Sequence, residues 1–426
     1  MMKLDSYWLD TAPLFTGGER EPVSGRVDVA VVGGGFTGLS SALALARRGA
    51  SVVVFEAGRV IGAASGRNGG QCNSGLAHDY GSLAARIGAE RAAAYYRAYE
   101  AAVQTVEEVV ARERIDCGFV RCGRLKLAAK PEHYGKLARA CERLAREVDP
   151  AVEMIPPERI RDEVGSDAFF GGLLQKTSAQ MHVGRFGVGL AEAATRHGAR
   201  ILENAPVTEI KRLGDGTYRV GSARGSVHAT QVLLASGSSA VGPFGWFRRR
   251  LVSVGSFIIT TEPLDRALLD RLLPHRRGYV TSKNVGNYFR TTADNRLVFG
   301  GRARFAMSNP RSDQKSGRIL RATLAATFPE LADARIDYCW GGLVDMTADR
   351  LPRAGQHDGM FYSLGYSGHG VQMSVHMGEL MADVMAGKAD ANPWRELDWP
   401  AIPGHFGKPW FLPFVGAYYR FQDLIH

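Results

Sequence analysis

The sequence predicts an α/β protein, α+β overall: a Rossmann-like domain with a parallel sheet, into which a second domain built on an antiparallel sheet is inserted. Three observations predict it. A strand, a glycine-rich turn and a helix follow one another in "VDVAVVGGGFTGLSSALALARRGASVVVFEA", Val27 to Ala57. A second glycine loop, "LGYSGHGVQMS" from Leu364 to Ser374, opens another helix near the far end of the chain. Between them, residues 245–340 read as short alternating strands with one helix, "DQKSGRILRATLAATF", the pattern of an antiparallel sheet.

A chain of 426 residues, 45% of them hydrophobic, is long enough for a substantial core and for two domains. Its five cysteines form no CxxC pair and no zinc-like cluster with histidine, so no metal is expected and the thiols are read as reduced. The start, "MMKLDSYWLDTAPLF", has no signal-peptide pattern, and no stretch reaches the roughly 18 apolar residues of a membrane span, so a soluble cytoplasmic protein is expected. The net charge of +10 is scattered apart from "WFRRR", Trp246 to Arg250. That argues against nucleic acid and membrane partners and for attraction of an anionic substrate.

In the first unit the apolar run Val27 to Val32 reads as a buried parallel strand. Gly33 then allows a tight turn, Gly35 lets a pyrophosphate approach the backbone, and Gly38 lets helix and strand pack closely. The free N–H groups and positive end of the helix beginning at Phe36 and Thr37 face the phosphates. A second strand, Ser51 to Phe55, ends at Glu56 and Ala57, about 20 residues beyond the glycines. A carboxylate there accepts from a ribose hydroxyl and repels the extra phosphate of NADP.

This unit alone leaves NAD and FAD open. The next cluster, "GAASGRNGGQCNSG" from Gly62 to Gly75, is either a flexible connection or a loop laid along an extended ligand. In the second case Ser65 and the backbone of Gly66, Gly69 and Gly70 reach phosphate or ribitol, with Arg67, Asn68 and Gln71 near the ring.

Here the sequence resembles the FAD-dependent amine oxidases of the D-amino-acid oxidase, glycine oxidase and sarcosine oxidase superfamily. Within it, the resemblance is to the gamma-glutamylputrescine oxidase branch. It runs along nearly the whole chain through "ASGRNGGQ", "IITTEPL", "YFRTTADNRLVFGG", "FPEL" with "IDYCWGG", "GYSGHGV" and the tail "GAYYRFQD". The resemblance implies FAD in a discontinuous domain over residues 27–112, 170–240 and 341–390. The substrate domain then covers 113–169 and 241–340, and the tail 391–426 packs on the core. It adds Val207, the small-residue turn Ser236-Gly237-Ser238-Ser239 and Gly342 to the FAD contacts. Gly365, Gly368, His369, Gly370 and Val371 are expected at the flavin, where a helix start stabilises the negative charge of the reduced ring. His369 is read as positioning rather than acid–base.

Aligning "VDMTADR" with sarcosine oxidases puts Gly342 where those proteins carry a flavin-bonding cysteine, and Cys339 on a strand three residues away points elsewhere, so non-covalent FAD is expected. The resemblance gives Arg290 the place of a lysine that promotes reaction with oxygen, and makes Tyr366 a second catalytic candidate. Arg67, Tyr288, Trp340 and Tyr366 are the candidate substrate groups, with Trp340 equally readable as core packing and Arg67 as a solvated loop residue. His78 and Asp79 are read as a possible polar pair. The expected reaction oxidises an amine CH–NH to an imine with O2 as acceptor, on a gamma-glutamylated amine carrying a carboxylate. The alternatives are a deaminase or demethylase of small amino acids, and a non-catalytic FAD-binding subunit.

Overall fold

Two eight-stranded sheets share the chain, and their strands alternate along it. The computed structural model describes residues 2–237 and 242–425. In the first sheet Arg26–Val32 lies centrally, with Val52–Phe55 and then Arg200–Leu202 parallel on one side. On the other side it pairs in parallel with Gly225–Leu234, which in turn pairs with Met360–Leu364. The order therefore reverses at Arg26–Val32, and the crevice at that switch point opens where Gly33 leaves the strand. Both faces of these strands are covered, which explains runs such as the fully buried Val52-Val53-Val54-Phe55.

The helices Phe36–Ala46 and Gly370–Met385 lie side by side over one face. Small residues bring them close: a Cβ on Gly378 would stand 2.6 Å from that of Ser40. The Ser40 hydroxyl donates to the Val375 carbonyl at 2.8 Å, and Ser41 to that of Gly378 at 3.0 Å. This contact sets the two helix starts, and so the two glycine loops, next to each other.

The second sheet runs in the order Ile336–Met346, Val252–Thr261, Leu297–Gly301, Asn287–Thr291, Gly278–Thr281, Arg124–Leu127, Gly172–Gln175 and Glu153–Ile155. Only the pairing of Gly278–Thr281 with Arg124–Leu127 is parallel. The two-residue period divides its faces. Leu125, Tyr279, Phe289, Phe299, Ile259 and Cys339 follow one another across the register into a core. Lys126, Val280, Tyr288, Gly300, Ile258 and Trp340 form the neighbouring row, on the opposite face. The helix Pro310–Thr327 packs on the core face through Leu320 and Leu324.

Two expectations shift. Gly172–Gln175, expected in the nucleotide domain, pairs in the second sheet, and Ile336–Met346 carries that sheet past the expected boundary at 341. Two helices meet at Gly88, whose φ of 90° ends Tyr80–Ile87 and precedes Ala89–Glu113. In the tail, the helix Leu412–Ile425 lies on the second sheet's edge, with Tyr419 stacked on Phe305 at 5.8 Å and bonded through its hydroxyl to Arg350.

Candidate active site

The first glycine loop admits no side chains where it turns. Gly33 has a φ of 112°, and a Cβ there would stand 2.6 Å from the Ala235 carbonyl; on Gly38 it would stand 1.9 Å from that of Gly33. Gly35 precedes the helix, and the Ser65 hydroxyl accepts from Phe36 N–H at 3.0 Å. Glu56 accepts from the N–H groups of Gly34 at 2.6 Å and Gly58 at 2.8 Å. Burial raises its carboxyl pKa, and those backbone bonds oppose the rise. Ala235 and Ser236 lie along this loop, and Gly237 lies beside the Asp345 carboxylate; Ser238 and Ser239 fall outside the described residues. Val207 is buried in the core at the start of the strand Val207–Arg212, and Ala57 is exposed beside Glu56.

The second loop is held from within. Asn68, expected near the ring, folds back: its amide donates to the Ala64 and Ser65 carbonyls and accepts from Gly70 N–H. Gln71 donates from a buried site to the Phe289 carbonyl at 3.1 Å. Arg67 donates to the Gly341 carbonyl at 2.7 Å and accepts at its own carbonyl from the Trp340 indole at 3.0 Å. Trp340 is fully buried, so of its two readings core packing is the one its surroundings match. A Cβ on Gly342 would sit 3.2 Å from that of Arg67, and one on Gly69 would sit 2.6 Å from the Tyr288 ring. Gly66 is buried, and a Cβ there would strike Leu9 and the Ile61 carbonyl.

Arg290 was expected to offer its charge to oxygen. Instead its guanidinium donates to the carbonyls of Gly70 at 2.6 Å and Met181 at 2.8 Å, with Trp8 beneath it. It is 5% exposed, and burial lowers its pKa to about 10. Its geometry is that of a clamp on the loop. His78 and Asp79 do not pair: His78 donates to the Asp349 carbonyl, while Asp79 caps the helix Tyr80–Ile87 by accepting from Ser82 N–H.

The third loop turns through Gly365, Ser367 and Gly368, all with positive φ, and Gly370 and Val371 begin the helix. Tyr366 lies between Thr37 and Ser363, its hydroxyl 2.8 and 2.9 Å from theirs. Burial raises its pKa to about 12, so it stays protonated. His369 precedes the helix with its ring edge-on to Tyr99, centroids 5.5 Å apart. Both of its ring nitrogens are buried without a partner. Burial first, then the positive charges of Arg124, His78, Arg302 and Lys126, push its pKa down to about 3. The imidazole is therefore neutral and has a donor and an acceptor to offer.

Around His369 several more polar atoms are buried without partners: Asn73 Oδ1, Tyr99 OH, Glu100 Oε1, Arg124 Nε and Gln372 Oε1. Such atoms are rare in a packed interior and mark a place where a ligand completes the bonding. Arg124 and Lys126 were not anticipated, although the alternation in Arg124-Leu125-Lys126-Leu127 signals a strand with one cationic face. FAD fits this set. The Gly33–Gly38 cradle and helix start suit a pyrophosphate, and the unpaired His369 nitrogens beside the second helix start suit the polar edge of the ring. Cys339, by contrast, lies in the core on the opposite face of the sheet, its thiol pushed up to about 12 by burial and bonded to the Asp313 carbonyl.

Comparison with known proteins agrees with this fit. Residues 28–384 match the sequence profile of the family described as FAD dependent oxidoreductase. Gamma-glutamylputrescine oxidoreductase of Escherichia coli K12 is 33% identical over 93% of this chain and 92% of its own. Glycine oxidase of Geobacillus kaustophilus is 27% identical over 86% of this chain and 94% of its own. Among solved structures, glycine oxidase of G. kaustophilus shares the fold with a TM-score of 0.68 at 24% identity, covering 89% of this chain and 98% of that one. L-proline dehydrogenase of P. horikoshii does so with a TM-score of 0.71 at 17% identity, covering 87% and 98%. No described helix is long and apolar enough to cross a membrane. With its glycine cradles, its orphaned histidine and this match along most of its length, the chain belongs to the FAD-dependent oxidoreductase family.

Proposed function

We propose that this enzyme is an oxidase of amines bearing an anionic tail, with gamma-glutamylputrescine or a similar gamma-glutamylated amine as its substrate. Non-covalent FAD serves as cofactor and O2 as acceptor. The observation that carries this reading is the set of cations whose charge reaches His369, Arg124, Lys126 and Arg302, taken with the 33% identity to a gamma-glutamylputrescine oxidoreductase. Bound FAD supplies a two-electron acceptor for the hydride equivalent on the carbon beside the amine, and O2 takes those electrons onward as hydrogen peroxide.

The chain's own residues bind and orient. Positive charges around the chamber disfavour an ammonium and favour the neutral amine, whose lone pair assists loss of the hydride equivalent. His369, neutral and partnerless, holds the ring edge rather than moving a substrate proton. Tyr288 sits on the chamber face against Gly69, its hydroxyl 3.1 Å from that of Ser256 and its pKa raised to about 12 by burial, so it serves as a hydrogen-bonding wall. Arg67 keeps its loop against Gly341.

The likeness to glycine oxidase supports a second reading, deamination or demethylation of small amino acids. A peroxide-coupled assay over gamma-glutamylputrescine, putrescine, glycine, sarcosine and D-amino acids separates the two. Turnover confined to the small amino acids would overturn the first.

A further inference from the structure

The carbonyls of the loop 64–70 are taken one after another by side chains. Asn68 bonds those of Ala64 and Ser65, the Trp340 indole that of Arg67, and Arg290 that of Gly70. Two more are held from a distant segment: the Ser6 hydroxyl donates to the Gly66 carbonyl at 2.6 Å, and the Trp8 indole to that of Asn68 at 2.7 Å. Ser6 and Trp8 are fully buried, and the Arg290 guanidinium lies over the Trp8 ring, 5.2 Å from its centre. Tyr7, between them, serves the second sheet instead. Its hydroxyl donates to Asp294 at 2.7 Å, and its ring meets that of Tyr338 edge-on at 5.4 Å. Lys3 joins the same sheet, its N–H donating to the Asp337 carbonyl at 2.8 Å and its carbonyl accepting from Cys339 N–H at 2.9 Å. With its carbonyls so occupied, the loop has donors to spare: among the described residues the N–H groups of Asn68 and Gly69 meet no acceptor.

Gly69 and Gly70 give this loop a freedom that binding a ligand must remove. Bonds that already fix the backbone in the free protein lower that cost, which is preorganisation. Ordinary terminal packing would spend the polar atoms of Ser6 and Trp8 on whatever lies nearest, whereas both are spent on carbonyls of this one loop. We propose that residues 3–10 are a strap for the FAD site, in which Ser6 and Trp8 are positioning residues: they hold the loop in its binding shape and leave the Asn68 and Gly69 N–H groups to the cofactor. This goes beyond the amine-oxidase reading and rests only on the FAD assignment. Whatever the substrate, the strap also ties the cofactor loop to the strand Ile336–Met346, through the Lys3 backbone.

The test titrates FAD into full-length apoprotein of wild type, S6A, W8F and Y7F, and then measures the flavin midpoint potential of each reconstituted protein. S6A and W8F each remove one donor to the loop. Y7F removes a bond of the same segment that does not touch the loop, and is the structural control. S6A should weaken FAD binding about three- to ten-fold and W8F about ten- to fifty-fold, as for a buried carbonyl left unpaired, while Y7F should change it by about two-fold at most. The potential of S6A and W8F should fall, because N–H groups displaced from the cofactor no longer favour the negative charge of the reduced ring. S6A, a change of one atom, decides the matter if W8F does not fold. A role in folding alone would lower Tm in all three variants, keep the potential at its wild-type value and let FAD affinity follow Tm, with Y7F no different from S6A; that result overturns the strap. A wild-type apoprotein that takes up no FAD overturns the cofactor assignment instead.

Discussion

The Tyr366 hydroxyl lies 2.8 Å from the side-chain oxygen of Thr37, joining loops 329 residues apart in the chain. Thr37 stands in the first turn of the pyrophosphate helix, and Tyr366 in the loop that leads to His369. The bond fixes the two ends of one long cofactor site at a set separation. Tyr366→Phe removes it while keeping the ring, so affinity for FAD should weaken about five- to ten-fold, equivalent to ~1 kcal/mol. Titration of apoprotein with FAD measures this; an unchanged Kd would show that the bond does not align the loops.

Arg290 clamps the Gly70 and Met181 carbonyls, so Arg290→Met should cost about 2–5 kcal/mol of stability by leaving both unpaired. It should also loosen FAD. The rate at which oxygen reoxidises the flavin that remains bound should hardly change. Denaturant melts and stopped-flow reoxidation report the two effects separately, and a large fall in the oxygen rate with normal stability would restore the catalytic reading.

Cys339 lies in the core on the face of the sheet opposite Tyr288. Acid precipitation of the holoenzyme should release all the yellow colour to the supernatant, from wild type and Cys339→Ser alike. Flavin in the pellet would mean a covalent bond.

Two further histidines are half-buried and neutral. Burial lowers the pKa of His182 and of His376, which bonds to the Thr105 hydroxyl at 2.8 Å, from 6.5 to about 4. The unfolded chain takes up protons below pH 6.5 that the folded protein refuses until about 4. Stability should therefore fall as pH drops through that window, by roughly 1.4 kcal/mol per pH unit for each histidine. His376→Gln should make the fall shallower, as read from urea midpoints at pH 7 and pH 5; an equal slope would mean that His376 titrates alike in both states.

Much of the fold was legible because local pattern decided it. The glycine turn at Gly33 and the strand Val27 to Val32 need only neighbouring residues to be recognised, and each recurs in the structure with an immediate steric reason. The side-chain directions of Arg290 and Gln71 were not legible in this way. Arg290 depends on Trp8, Gly70 and Met181, and Gln71 on Phe289, partners distant from them in sequence. Lys126 is an intermediate case. Its alternation with Leu125 and Leu127 showed a two-faced strand, but only the sheet register reveals that the cationic face turns toward Tyr288.

The central claim is that the chamber beside His369 receives an amine with an anionic tail and passes its electrons to FAD. Anaerobic mixing of the holoenzyme with gamma-glutamylputrescine tests it most directly. The account predicts rapid, complete bleaching of the flavin, with putrescine, glycine and sarcosine far slower at equal concentration. Bleaching by glycine or sarcosine as fast as, or faster than, by gamma-glutamylputrescine would contradict it.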